Sequence, residues 1–449
     1  MSGTDAIFEY KKAVPMHGEH FDVIVCGAGP AGISAAVSAA RRGAHVLLAE
    51  RHGVIGGMLT TGAISPILGS VSSGTMYDEI CSRIKSCDVP YIKTRNGREV
   101  LLDREVTKKE LDRMVSESGV TLWLNSALVD VITESGEDGR AAARGVIFAT
   151  QRGLCAVRGD VIIDATGDGW AAAAAGCSFD IGRGGDGRLQ PMSLEFVLED
   201  VAEDAIIVFG GSDKVKIPSG EFAGMEFREL CRQKNREGEL PKNVTIVRLH
   251  AKTRPTEREV NATQVNGLDP LDPGAVAKAE IELRAQIDVI VNFLRRYIPG
   301  YENCRVCDSS DTVGVRESRR ICGVDSVCDA DVEQGRMHPD AIVHNAWFLI
   351  DIHNPAGGGQ AEGHSHMAQP YDIPYGAILP RDVDGMLLAG RCISGTHRAH
   401  ASYRVMAICM AMGEAAGVAA ALAVERGVDP KAIPAADIRA ELAARGVEL

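Results

Sequence analysis

Six of the chain's twelve histidines, His344, His353, His364, His366, His397 and His400, fall in one stretch, and Arg404 follows it. Imidazole holds or passes a proton near neutral pH, and a guanidinium grips a carboxylate or phosphate with a planar fork of donors. Proton transfer beside an anchored polar group is the chemistry such a segment can do. His353, in Asp351-Ile352-His353-Asn354-Pro355, is the first choice as base or orienting donor, with a structural histidine bonded to a loop as the competing reading. His397 and His400 are three apart and share a face if helical. Arg316, Arg319 and Arg320 add three forks; one is expected to clamp an acidic substrate, while two pair internally with neighbours such as Glu317. Tyr403 either donates to a carbonyl or lies in a core. His364 and His366 share one side of a strand without a clear third ligand, so no metal site is expected.

The element that must position these groups starts near the N-terminus, at Gly27-Ala28-Gly29-Pro30-Ala31-Gly32. The apolar run from Phe21 to Gly27 reads as a buried parallel strand. Pro30 suits the first helical position, Ile33, Ala36, Val37 and Ala40 share one face, and Gly43 stops the helix. A second strand runs from Ala44 to Glu50. This is a βαβ unit of about thirty residues, the scale of a mononucleotide-binding half. The glycines allow the turn, the approach of a pyrophosphate and close helix packing. Helix N–H groups would hold the phosphates, and Glu50 would accept from ribose hydroxyls. Arg51 follows directly and weakens any choice between a free ribose and a phosphorylated one.

Apolar runs near Ala127 to Ile132, Ala143 to Ala149, Leu154 to Val157 and Val161 to Ala165 read as an antiparallel meander entering a final buried strand, with turns at Glu137-Asp138-Gly139, Gln151-Arg152-Gly153 and Arg158-Gly159-Asp160. A strand at Met386 to Ala389 and a long small-residue helix ending near Arg426 return to the earlier style. The formal charge of −13 argues against nucleic acid as a partner, because phosphate neutralisation needs clustered Lys and Arg. Val405 to Val424 carries Glu414 and reads as a buried helix, so no membrane partner is expected. Residues 1–20 are polar and mixed in charge, and twelve cysteines in 449 residues suit reduced thiols, so a cytoplasmic setting is expected. Cys304 and Cys307 form a CxxC that invites a redox or iron–sulfur reading, although the pair does not follow the first helix.

Taken together, Gly27 to Gly32, Glu50 to Gly62 with Gly56-Gly57-Met58, Asp164 to Gly169, Gly314 to Gly323, Asp351 to Pro355 and Ile373 to Ser394 resemble the FAD-dependent oxidoreductase family, in particular its glutathione-reductase-type branch. The resemblance implies non-covalently bound FAD on Gly27, Gly29, Pro30, Ala31, Gly32, Glu50, Arg51, Gly56, Gly57 and Met58. It also places Asp168 beside the cofactor and Gly390 and Arg391 at the ribityl chain or flavin. Many proteins of this fold carry Gly-Asp where this chain has Arg391-Cys392, so that contact must differ, and Asp168 is a candidate substitute.

The expected fold is α/β, a Rossmann-like FAD-binding domain with parallel sheet and β-meander plus a mixed α+β substrate or cap region. The FAD domain is discontinuous, at 20–62, 116–181 and 373–430, with a helical cap insertion at 63–115 and a substrate region at 182–372. The expected activity is two-electron hydride transfer between flavin and a small polar organic substrate, catalysed by His353, His397, Arg404, Arg316 and Tyr403. A flavin monooxygenase using external NAD(P)H and a non-redox structural flavoprotein are the alternatives. One dinucleotide fingerprint implies no second, nicotinamide-binding domain. The electron donor or acceptor is not identified, and a homo-oligomer is compatible with the sequence.

Overall fold

The computed structural model describes residues 13–85, 101–136, 139–208, 214–357 and 368–449; Glu137, Asp138, His364 and His366 lie outside them. In chain order, β1 (Met16–Cys26), α1 (Pro30–Arg41) and β2 (Val46–Ala49) form the βαβ unit. Helices α2 (Met76–Lys85) and α3 (Arg104–Glu117) follow, then β3 (Thr121–Trp123) and a meander of β4 (Ala127–Ser135), β5 (Ala141–Thr150) and β6 (Gly153–Asp164). In the sheet, β1 pairs in parallel with β2 and β6, and β3 runs parallel beyond β2. From Phe21 to Cys26 side chains are buried on both faces except at Asp22, which is why this run is apolar throughout rather than alternating.

The turn expected at Arg158-Gly159-Asp160 is absent, and the last two runs of the meander are one strand. β6 is antiparallel to β5 over its first half and parallel to β1 over its second. Gly159 lies beside Phe21 at the change, where an added Cβ would stand 2.8 Å from the Ile24 side chain. The glycine allows close approach here rather than a reversal.

Helix α4 (Trp170–Ala174) and β7 (Phe179–Ile181) lead to a second sheet of β8 (Phe196–Glu199), β9 (Arg248–Ala251), β10 (Arg258–Asn261) and β11 (Arg305–Ser309), in the order β11-β8-β10-β9. Helices α5 (Phe227–Arg236) and α6 (Pro273–Tyr297) pack against it, and Phe196, Phe227, Phe293 and Tyr301 fill a core separate from the first. Beyond it, β12 (Arg319–Ile321) pairs with β7, followed by α7 (Asp329–Gln334) and the hairpin of β13 (Ala341–Ala346) and β14 (Tyr371–Pro374). Within the expected substrate region, only the part up to Cys304 builds the second core. Ile321, Val327, Ile342 and Tyr371 join the first core instead.

The chain then returns to the main sheet through β15 (Val383–Asp384) and β16 (Met386–Leu388), parallel to β5 and β6, and ends in α8 (His397–Tyr403), α9 (Met406–Arg426) and α10 (Ala435–Ala444). Helix α9 is long and apolar enough to cross a membrane, but 94% of its most apolar window is buried in protein. Its small residues have a packing reason. A Cβ on Gly413 would lie 2.0 Å from the Ala31 carbonyl oxygen, and one on Gly417 would lie 2.2 Å from that of Ala35, so α9 and α1 touch backbone to backbone.

Candidate active site

β1 ends at Cys26 and the backbone turns through Gly27 at φ +98°, where a Cβ would meet the Ala165 carbonyl oxygen at 2.6 Å. Only glycine fits there. At Gly32 a Cβ would lie 1.8 Å from the Gly27 carbonyl oxygen, so α1 can start this close to the strand only without a side chain. Gly29 differs, because nothing lies within 4 Å of the position its Cβ would take. It lines an open cavity that runs along the start of α1 and is also lined by Glu50, Arg391 and Arg404. Pro30 opens α1 and no side chain caps the helix, which leaves the first-turn N–H groups for an anion.

Glu50 follows β2 at the cavity wall. Its carboxylate accepts from the Ala28 N–H at 2.8 Å and the His52 N–H at 3.0 Å, which fixes the group while lone pairs remain for hydroxyls. Gly56 donates to the Ala28 carbonyl at 2.8 Å and folds its loop over the helix start, bringing Gly57, Met58 and Thr61 to the cavity. Arg51, His52, Ser126, Leu128, Phe148 and Trp170 also line it. The last four were not anticipated; which side chains of a meander and its flanks face a ligand depends on pairing that local pattern does not specify.

Arg391, after Gly390 at φ +89°, lines the cavity. Its guanidinium donates to the Val315 carbonyl at 2.6 Å and to Asp168 at 3.2 Å. Asp168 also accepts from Ser318 Oγ at 2.7 Å. Arg391 rather than Asp168 therefore presents its side chain to the cavity, with Asp168 behind it.

From the same wall Arg404 leads into a polar cluster. Its Nη2 donates to the Asp351 carbonyl at 3.0 Å and to the Asp351 carboxylate at 3.1 Å, and that carboxylate lies 3.3 Å from His353 Nε2. The His353 backbone N–H donates to Gln190 Oε1 at 3.2 Å, and the adjoining Pro191 carbonyl accepts from Arg316 Nη1 at 2.9 Å. Four atoms around this cluster, Gln190 Nε2, His353 Nδ1, His397 Nε2 and Arg404 Nε, are buried without a hydrogen-bond partner. Each such atom costs about 1–3 kcal/mol if left unpaired, so the four are open to a polar ligand or water.

Burial, reinforced by the charge of Arg316, lowers His353 to about 4. Burial alone would raise Asp351, but His353, Arg404 and Arg316 overcome it and hold the carboxyl below its usual range. At neutral pH the pair is a neutral imidazole beside an ionised carboxylate. Burial and the neighbouring Arg404 lower Arg316 to about 10.

A sequence model described as "FAD dependent oxidoreductase" matches residues 22–442. The chain belongs to the FAD-dependent oxidoreductase family. It is similar to a mitochondrial 5-taurinomethyluridine-tRNA synthase subunit of Mus musculus, 30% identical over 148 residues, 29% of this chain and 22% of that protein. It is also similar to the thiamine thiazole synthase of Aeropyrum pernix, 30% identical over 161 residues, 32% of this chain and 54% of that one. These matches thus span from about a fifth to about half of the relatives' lengths. A geranylgeranyl bacteriochlorophyll reductase-like structure from Thermoplasma acidophilum shares the fold at 17% identity and a TM-score of 0.51, covering 96% of this chain and 84% of that one.

The site fits the family's cofactor. The open space at Gly29 and the uncapped start of α1 suit the pyrophosphate, Glu50 suits a ribose, and Arg391, Arg404, Thr61 and Met406 line the same cavity. When bound, FAD supplies a two-electron acceptor or donor.

For two catalytic candidates of this oxidoreductase the structure shows other employment. Tyr403 is fully buried and donates its hydroxyl to the Ile393 carbonyl at 3.2 Å, so it braces the turn before α8. His397 Nδ1 lies 2.8 Å from Glu317, which also accepts from Arg320 and from the Gln190 N–H at 3.2 Å. His397 therefore supports the segment carrying Gln190 and lies off the cavity wall. His400 is 1% exposed and packs edge-on against Tyr403.

Of the three clustered arginines, Arg320 pairs with Glu317 and Arg319 donates to the Asp168 carbonyl at 3.2 Å, leaving Arg316 on the cluster. Cys304 is buried in the second core and Cys307 is exposed, both as free thiols. Burial raises both, Cys307 to about 11, opposite to the shift a redox-active thiolate requires. Among the described residues no group of three His, Cys, Asp or Glu is placed to hold a metal.

Two features escaped the sequence reading. Asp351 stands two before His353, a spacing that puts both on one side of an extended stretch, so a signal existed. The buried pair Glu195 and Glu259 had none. Burial and the neighbouring Glu259 charge raise Glu195 well above its usual range, while Glu259 accepts from the Ser65 N–H at 2.9 Å and lies 3.7 Å from Lys252. Burial raises Glu259 as well.

Proposed function

We propose that the chain moves a hydride between bound FAD and a small polar organic substrate seated on Asp351, His353, Arg404 and Arg316. Arg404 carries this reading, since one side chain both lines the cofactor cavity and ion-pairs with the carboxylate beside His353. The substrate thereby meets the cofactor where Arg404 lines the cavity.

Each residue has a separable task. Asp351 fixes the tautomer of the imidazole by holding Nε2–H, which leaves Nδ1 to take or return the proton that accompanies hydride transfer. Arg404 holds Asp351 in place and stays ionised against burial. Gln190 anchors the His353 backbone.

The test is anaerobic mixing of the holo-protein with hydroxy acids, amines, alcohols and enones, following flavin absorbance. Bleaching by one substrate class, or reoxidation of reduced flavin by another, is the expected result. Rapid bleaching by NADPH followed by oxygenation of an added aromatic would replace this reading with a monooxygenase. No response to any class would leave it without support.

A further inference from the structure

We propose that Arg316 and His353 form a subsite for a small 2-hydroxy carboxylate, the carboxylate on the Arg316 guanidinium and the neighbouring hydroxyl on His353 Nδ1. The proposal rests on the oxidoreductase reading above and names its substrate class.

The charges around the cluster do not close without a ligand. Arg404 is matched by Asp351, Arg391 by Asp168 and Arg320 by Glu317. Arg316 makes one hydrogen bond, to the Pro191 carbonyl, and no ion pair among the described residues. Asp351 and Glu195 act on it through space, with no ion pair to either. A half-buried guanidinium with donors to spare and no carboxylate in contact is a receptor for an anion, and its fork matches a carboxylate.

The second half of the ligand is fixed by the imidazole. Asp351 occupies Nε2, so Nδ1, buried and without a partner, is an acceptor awaiting a donor. His353 and Arg316 hang from consecutive residues, the His353 backbone on Gln190 Oε1 and the Arg316 guanidinium on the Pro191 carbonyl, and the Arg316 charge acts on the imidazole. A molecule with a hydroxyl next to its carboxylate satisfies both. A 2-amino acid suits the site less well, because its ammonium would face Arg316 and Arg404 and would offer the imidazole a proton already held tightly. Oxidation of a 2-hydroxy acid to the 2-oxo acid releases one hydride from C2, taken by the flavin, and one hydroxyl proton, taken by His353; atoms and charge balance with FAD as the only oxidant.

The arrangement also couples binding to protonation. After burial, Arg316 is the strongest influence keeping His353 unprotonated, with Arg404 acting in the same sense and Asp351 opposing both. A carboxylate on Arg316 cancels that charge and raises the affinity of His353 for a proton. Anion binding therefore takes up protons as the pH falls from 6 toward 4.

Pyruvate, an unreactive 2-oxo acid, is the probe for binding, titrated calorimetrically into the holo-protein in two buffers of different ionisation enthalpy. The expected result is saturable binding with net proton uptake at pH 5, at least tenfold weaker in Arg316→Gln and partly restored in Arg316→Lys, with FAD content unchanged in both. In His353→Asn pyruvate still binds but the proton uptake vanishes. Pyruvate binding that is absent in wild type, or indifferent to Arg316→Gln, overturns the subsite. A second arm mixes the oxidised enzyme with lactate, glycolate and 2-hydroxybutyrate. If these fail to bleach the flavin while alcohols or amines succeed, the substrate class is wrong and the oxidoreductase reading stands. Pyruvate bound at Arg316, with no compound of any class changing the flavin, overturns the redox reading and leaves the anion site in place.

Discussion

Asp351 and His353 stand two apart in sequence with carboxylate and Nε2 3.3 Å apart, so the carboxylate decides which imidazole nitrogen stays free. His353→Ala should lower turnover by about 10²- to 10⁴-fold, the usual contribution of a positioned base, while FAD remains bound. Asp351→Asn should lower it less. Because His353 sits at about 4, kcat/KM should stay flat from pH 8 down to about 5 and fall only as the imidazole takes its proton near pH 4. Steady-state rates across that range check this, and an acid limb centred at 6 to 7 would remove His353 as the base.

Gly29 and Gly32 separate cofactor binding from folding. Gly29→Ala places a methyl in open space within the cavity wall, so the protein should fold and lose FAD affinity by tenfold or more. Gly32→Ala drives a methyl into the Gly27 carbonyl oxygen and should yield little soluble protein. Flavin content by absorbance and melting temperature by calorimetry distinguish the two.

Glu414 on α9 is 4% exposed, accepts from the Met76 N–H at 2.8 Å, and is raised by burial from 4.5 to about 6. A raised carboxyl contributes stability that is complete below pH 4.5 and lost as pH rises through about 6. The shift corresponds to roughly 2 kcal/mol. Glu414→Gln keeps the acceptor for Met76 and should be more stable than wild type by up to that amount at pH 8, with no gain at pH 4. Denaturant unfolding at both pH values checks the sign.

Tyr403→Phe removes a buried hydroxyl whose partner is the Ile393 carbonyl. The expected loss is about 1 kcal/mol of stability with turnover unchanged. A large fall in turnover at constant stability would return Tyr403 to the chemistry.

What the sequence made legible follows the reach of its signals. The β1-α1-β2 unit was readable because strand, glycines, helix and Glu50 act within one short stretch and each glycine answers a local steric demand. Gly159 misled, since a glycine that admits the Ile24 side chain of a parallel neighbour looks the same in sequence as one that makes a turn. His353 and Arg316 were found by residue type. The roles of Gln190 and Pro191 were not, because they depend on segments far apart in the chain meeting at one point. Tyr403 and His397 were assigned to chemistry for the same reason; their types allowed it, and only their tertiary partners, Ile393 and Glu317, show a bracing role.

The contact of Gly413 and Gly417 with the Ala31 and Ala35 carbonyls sets an order of events during biosynthesis. The fingerprint glycines leave the ribosome early, but the wall that includes Gly390, Arg391 and Arg404 and the helix that clamps α1 come only much later. Until α9 emerges, the apolar face of α1 has no lid and the nucleotide has half a cradle. Cofactor loading is therefore tied to synthesis through α9, and nascent chains stalled before Gly417 should present α1 to chaperones rather than to FAD.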